Sequence, residues 1–334
     1  MKIGIYTTDI ADYVSGGLLC VVSILNELHK QGYDVCAFVN SRPTSEWIPN
    51  EFPIYRSDSQ EYKDFDGILI SPFSPTAKSV ANHRNAQEKL YHVNTNEGLF
   101  KYNGPEWTQQ AIDSYSLPLK IFCTSRYVQT IMEQVYNRNV IGQLVPPGID
   151  NNIFNLTGKE RHWPNDDQTI RVVILGRMDW IRGVDIAVEG VRLASSSVPI
   201  EFKMIPGNVK SRVALAKYLQ WADLYVDASR LAGSPTVPKE AMGCGVIPIC
   251  THYGFTDYVL DGYNGFVIGP DNPQEIADKI IRYHDLGEDR RSAMHQFAWD
   301  TAQNYTWKHI AQMFLKAIQE GQCRQDLLKN KGWQ

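Results

Sequence analysis

The chain has 334 residues, 43% of them hydrophobic and 21% charged, with a formal net charge of −4. That length exceeds what one small core organises, so two domains are expected. No run approaches the ~20 apolar residues of a membrane span, and the acidic balance leaves only a local basic groove for a nucleic-acid partner.

In chain order, short apolar runs alternate with helical patterns, the mark of a parallel sheet covered by helices. The first run, "KIGIY", begins at once, without the charge, apolar stretch and small-residue site of a signal peptide. Strands are predicted at 2–6, 35–39, 67–71, 89–93, 120–123 and 140–145. The clearest helix between them runs from about Gly17 to Lys30, with Leu18, Val21, Val22, Leu25 and Leu28 on one face. "VPPGIDNNIF" at 145–154 leads into the polar stretch "NLTGKERHWPNDDQT", which reads as an interdomain linker.

A second α/β series follows, with strands predicted at 171–175, 201–205, 223–227, 245–249 and 265–268. A final helix near 307–320 sets Ile310, Met313, Phe314, Ala317 and Ile318 on one face. The expected fold class is α/β: two Rossmann-like domains facing a central cleft, into which the loops at the carboxyl ends of both sheets point. The six cysteines are scattered, without C-x-x-C pairs. Reduced thiols in a cytoplasmic protein are expected, with neither a disulfide framework nor a zinc site.

Three stretches carry candidate chemistry. Gly16-Gly17 reads either as a tight turn or as a place where a ligand meets the free amides of a helix start. "GRMDWIRGVDIAVEGV", 176–191, puts Arg177 and Arg182 at a strand-to-helix turn. A helix N-terminus carries partial positive charge and unpaired amides, so two arginines there conflict with it. A bound di-anion would remove the conflict, both guanidiniums gripping phosphate oxygens; otherwise both side chains splay into solvent. In 229–268, Pro238 starts a short helix carrying Glu240. That carboxylate either accepts two ribose hydroxyls or is a first-turn glutamate stabilised by the helix dipole.

Together these segments resemble a family. "SGG" at 15–17, "VPPGID" at 145–150, "GRMDWIRGVD" at 176–185 and "EAMGCGVIPI" at 240–249 are similar to retaining GT-B glycosyltransferases of the glycogen-synthase-like superfamily, the group 1 or family 4 type. "GFTDYVLDGYNGFVI" and "YTWKHIAQMF" fit as well, and the matches run in the family's order along nearly the whole chain. The resemblance implies an acceptor domain over 1–155, completed by a C-terminal helix at 305–322 that crosses back to it, and a nucleotide-sugar donor domain over 168–304. It implies that Arg177 and Arg182 hold the donor's diphosphate and act in catalysis, Arg182 standing where the family usually has lysine. Glu240 matches the second glutamate of the E-x7-E ribose clamp. The donor-binding set is then Gly16, Gly17, Arg177, Arg182, Gly233, Ser234, Thr236, Val237 and Glu240.

The first E-x7-E glutamate falls on Ala232, which implies an altered sugar preference, a substitute group from elsewhere, or a weakened catalyst. On the acceptor side, "YHVNTNEGLF" (91–100) offers Asn94, Asn96 and Glu97 as acceptor contacts and Glu97 and His92 as catalytic candidates. Glu97 is the only strong base among them, and a histidine within a strand also reads as a core residue. No cofactor or metal is expected, the arginine pair standing in for a metal in neutralising the leaving diphosphate.

The function implied is a hexosyl- or pentosyltransferase moving a sugar from a nucleotide diphosphate sugar, a UDP-sugar foremost, to a glycan or lipid-linked acceptor. Compact phage-type relatives raise modified bases of DNA as an alternative acceptor. The first 150 residues, with 12 Lys/Arg against 16 Asp/Glu, lack the basic excess DNA asks for, although Arg84, Lys89 and Lys101 could form a local patch. Outside transfer, a non-catalytic nucleotide-sugar-binding protein and a sugar-nucleotide epimerase stand as further readings.

Overall fold

The structure, a computed structural model, describes residues 1–8, 16–40, 49–100, 104–157, 169–209 and 211–330, with the backbone alone over 321–330. Ser15 of the "SGG" stretch, the rest of the loop at 9–15, and Lys101 lie outside the described residues. The chain divides into two compact units, Met1–Pro147 with Trp307–Gln334, and Gly148–Thr306.

In the first unit, strands β1 (Lys2–Thr7), β2 (Asp34–Val39), β3 (Ile54–Arg56), β4 (Ile68–Ser71), β5 (Glu88–Val93) and β6 (Lys120–Cys123) form one sheet in the order β3-β2-β1-β4-β5-β6. Every pairing is parallel, as expected of strands joined by helical crossovers. Around it lie α1 (Gly16–Lys30), α2 (Gln60–Lys63), α3 (Ser74–Ala81), α4 (Pro105–Ser114), α5 (Arg126–Gln134) and the long α11 (Trp307–Asn330). Helix α1 buries Leu18, Val21, Val22, Leu25 and Leu28, the face its spacing predicts.

One local expectation fails, and one strand is not predicted. Residues 140–145 make no strand beyond a single bridge from Val140 to Ile121. Gly142 takes the left-handed conformation (φ 63°), and a Cβ there would lie 2.7 Å from the carbonyl oxygen of Ala317; the segment turns under α11 instead of extending. Strand β3, only three residues long, shows no alternation to read.

The second unit holds β7 (Ile170–Gly176), β8 (Ile200–Pro206), β9 (Leu224–Asp227), β10 (Ile247–Thr251) and β11 (Phe266–Ile268) in the order β11-β10-β9-β7-β8. Its pairings are also parallel. Its helices are α6 (Val184–Ala194), α7 (Arg212–Trp221), α8 (Val237–Gly243), α9 (Pro273–His284) and α10 (Glu288–Gln303). Two apolar clusters flank the sheet: Val172, Ile174, Val191 and Ile280 on one face, Val173, Ile205, Leu215 and Tyr225 on the other. The change of unit falls at Gly148, ahead of the break expected at 155, because Ile149 and Phe154 are core residues of the second unit. The Ile149 N–H also donates to the Tyr305 carbonyl at 2.7 Å.

Candidate functional site

In the second unit the loops leaving β7, β9 and β10 are knit together at the carboxyl ends of the strands. Arg182 closes a short 3-10 turn (Trp180–Arg182), and α6 begins after Gly183. Gly183 is left-handed (φ 57°), and a Cβ there would overlap the Ala228 carbonyl. Glycine is the residue this contact and this φ accept. The Arg230 N–H donates to the Ile181 carbonyl at 2.7 Å, and its guanidinium donates to the Trp180 carbonyl at 2.7 Å. The same guanidinium pairs with Asp185 at 2.8 Å and Asp271 at 2.5 Å. Gly254, after β10, presses on the Gly233 carbonyl, leaving no room for a side chain.

The arginine pair is held differently at its two members. Arg177 is partly exposed and pairs with Asp179 at 3.4 Å. Arg182 carries a buried Nε that receives no hydrogen-bond acceptor among the described residues. Its charge is felt at Tyr225, whose hydroxyl donates to Asp227. Helix α6 starts without a side-chain cap. Uncapped amides and an orphaned guanidinium N–H at one turn are what an anion satisfies.

In the 233–236 loop, the Lys239 Nζ donates to Ser234 Oγ at 3.1 Å and lies over the Tyr258 ring at 4.3 Å. The Tyr258 hydroxyl donates to the Pro235 carbonyl. Thr236 is the N-cap residue of α8 but makes no side-chain capping bond, and Val237 opens the helix against the apolar cluster. Ala232 packs inside the other cluster, so a glutamate there would be a buried carboxylate.

Glu240 is neither a solvated first-turn glutamate nor open: it is fully buried. Its carboxylate meets the guanidinium of Arg212, the first residue of α7, and neither oxygen sits in an aligned hydrogen bond among the described residues. Arg212 also stacks over the Phe154 ring at 4.9 Å. Burial lowers its pKa to about 10, against the opposing pull of Asp150. Beyond the Arg212 contact, the carboxylate keeps acceptor capacity for hydroxyls. Arg212, Arg230 and Lys239 were not legible as site residues: nothing in a helix-starting arginine or a lysine beside a glutamate announces a tertiary partner.

In the first unit, the structure corrects the reading of His92 as a catalytic group. It is buried, stacks on Phe122 with centroids 4.5 Å apart, and shares Nε2 with the Val145 carbonyl at 3.1 Å. Burial lowers its pKa to about 4, so it is a neutral core residue. Asn94 donates to the Pro72 carbonyl at 2.7 Å, and Asn96 accepts from the Tyr136 hydroxyl at 3.1 Å. The Glu97 carboxylate accepts from the Ser74 N–H at 2.9 Å and from the Ser74 hydroxyl. It thereby caps the start of α3 from a distant loop. Burial raises its pKa to about 7, the Ser74 bonds opposing.

Of the DNA-patch candidates, Arg84 is exposed, while Lys89 donates to the Ala81 carbonyl at the end of α3. One triplet with metal-motif spacing, Asp64-Phe65-Asp66, is otherwise engaged: Asp64 accepts from Gln60, Phe65 is core, and Asp66 pairs with Lys2. Among the described residues, no helix is long and apolar enough to cross a membrane.

Residues 161–298, which contain this loop cluster, match the family model of glycosyl transferases group 1. The chain is 24% identical over 212 residues to an uncharacterized glycosyltransferase of Methanocaldococcus jannaschii, covering 54% of this chain and 56% of that protein. It thus spans little more than half the length of that relative, and 24% or less of three other curated relatives. The structure superposes on HepE of Anabaena, solved with UDP-glucose, at a TM-score of 0.72 and 14% identity, covering 96% and 99% of the two chains. It superposes on sucrose-phosphate synthase of Thermosynechococcus elongatus at 0.70 and 15%, covering 98% and 99%. The fold is GT-B, two Rossmann-like α/β domains.

Proposed function

We propose that this chain, a group 1 glycosyltransferase on a GT-B fold, moves a sugar from a nucleotide diphosphate sugar to a hydroxyl acceptor with retention of configuration. The observation that carries the reading is the loop cluster of residues 176–240. There two arginines, one with an orphaned buried N–H, flank an uncapped helix start in the same unit as a buried carboxylate lacking hydroxyl partners. Arg177 and Arg182 hold the diphosphate and neutralise the charge that develops as it leaves. Glu240 accepts from the ribose hydroxyls, with Arg212 fixing its charge. Backbone amides of Gly233, Ser234, Thr236 and Val237 face the sugar. Because the diphosphate itself can take the acceptor's proton, no carboxylate pair is required. HepE, solved with UDP-glucose, supports a UDP-sugar as the donor.

The acceptor is a glycan or lipid-linked glycan. With Lys89 spent on a helix end, the local patch that a DNA acceptor needs is reduced to Arg84 and Lys101. Asn94, Asn96 and Glu97 order the first domain's loops and reach an acceptor only from their remaining polar atoms. Residues 1–147 with the last helix form the acceptor domain and 148–306 the donor domain. The described cysteines Cys20, Cys36, Cys123, Cys244 and Cys250 are buried and in no disulfide among the described residues, which fits a cytoplasmic location. The test is a mass-spectrometric screen of nucleotide sugars for donor hydrolysis, repeated with glycan, lipid-linked and modified-DNA acceptors. Consumption of one donor with transfer to a glycan is expected; nucleotide-sugar binding without turnover on any acceptor would leave a non-catalytic binding protein.

A further inference from the structure

Strand β8 is an edge of the second sheet, and it is left bare. Among the described residues, no strand is laid beyond it. Four consecutive residues, Glu201 to Met204, are exposed, including Phe202 at 38% and Met204 at 43%. The parity of its backbone is set by the bond from the Ile170 N–H to the Pro199 carbonyl and by the register Ile170↔Ile200. Pro199 therefore turns its C=O toward β7, residues 201, 203 and 205 turn both their N–H and C=O groups the same way, and Ile200, Phe202 and Met204 turn theirs outward. Those outward groups meet no strand among the described residues. A bare edge of this length with apolar side chains is a template for pairing.

We infer that β8 pairs antiparallel with β8 of a second copy, about a two-fold axis through Phe202, joining two five-stranded sheets into one. The sequence "IEFKM" is self-complementary in that register. Phe202 lies opposite Phe202 and Ile200 opposite Met204, each pair made by residues whose backbone groups point outward, so each exchanges both hydrogen bonds. Glu201 lies opposite Lys203 of the second copy, and Lys203 opposite its Glu201, in the intervening positions where side chains stand closest. Glu201 and Lys203 share one face, beside Arg171 at 3.4 Å and over the Trp221 ring at 3.7 Å. The apolar residues share the other, as strand alternation requires.

Neighbouring registers fail. An axis through Glu201 sets glutamate against glutamate, an axis through Lys203 sets lysine against lysine, and an axis through Met204 brings Pro206, which has no N–H, opposite Phe202. A second copy of this chain is therefore the occupant that the edge itself specifies. The pairing is independent of the sugar chemistry proposed above.

Sedimentation equilibrium over a wide concentration range tests it. The native chain should associate to twice its monomer mass. Glu201→Lys and Lys203→Glu, each placing like charges opposite one another, should weaken association by about tenfold or more. The double change, which swaps the signs and restores both cross-strand pairs, should return it. In a Cys323→Ser background, Phe202→Cys should cross-link to itself on oxidation, since opposed residues in such a pair lie within disulfide reach. Lys203→Cys, facing Glu201, should not. A native chain that stays monomeric, a dimer indifferent to both single reversals, or cross-linking at 203 in place of 202 would overturn the inference. A dimer weakened by both reversals and restored by the double change would establish it.

Discussion

Replacing Arg212 with methionine leaves the Glu240 carboxylate in the interior with no cation against it. Glu240 is fully buried, and the side chain of Arg212 is 15% exposed. The pair thus belongs to the class in which loss of one partner costs about 3–5 kcal/mol, because the other charge stays desolvated. Burial has already lowered the arginine's pKa to about 10, yet at neutral pH the guanidinium is charged and the pair intact. Methionine preserves most of the side-chain volume over the Phe154 ring, so packing loss adds little. For a unit of this size the deficit should lower the urea midpoint by roughly 2 M. Intrinsic fluorescence follows it, with Trp221 on the same helix as Arg212. The companion variant, Arg212→Met with Glu240→Leu, removes both charges and should recover to within about 1 kcal/mol of the native chain, since apolar replacement of a buried pair is near neutral. A single variant that loses less than about 1 kcal/mol, or a double variant less stable than the single, would refute the buried ion pair.

Arg177→Ala and Arg182→Ala should each raise the donor KM about tenfold or more, from loss of a charge-assisted contact worth roughly 1.5–3 kcal/mol; initial rates at limiting donor check this, and an unchanged double variant would sink the phosphate grip. Glu240→Gln should weaken nucleoside diphosphate binding in calorimetry, and unchanged affinity would reject the ribose contact. Glu97 has a folded pKa of about 7 against an ordinary 4.5, so the folded chain holds its proton longer than the unfolded chain does. Its stability is full below pH 4.5 and declines as pH rises through 7, by on the order of 3 kcal/mol. Glu97→Gln should therefore flatten the melting temperature over that window, and an identical pH profile would count against the buried protonated form. Gly183→Ala must place a Cβ on the Ala228 carbonyl at positive φ, and thermal unfolding should show a loss of about 2 kcal/mol or more.

What the amino-acid order determines by itself is the architecture and the kind of chemistry. Apolar runs of five or so residues separated by helical periodicity specify two parallel sheets, because each pattern buries a face in only one geometry. Arg177, Arg182 and Glu240 stand out because a charge beside a glycine or proline at a strand-to-helix junction marks a loop at the carboxyl end of the sheet. Tertiary structure alone decided how those residues are held. His92, near the end of β5, and Glu97, in the loop after it, look alike as titratable candidates. Only packing separates a histidine stacked neutral on Phe122 from a glutamate that caps α3 through Ser74. The Glu240 carboxylate finds its cation on a helix 28 residues earlier, Arg212, and the bare edge at β8 arises from the order of strands in space. Such partners are chosen by how the chain returns on itself, and local sequence carries no trace of that return.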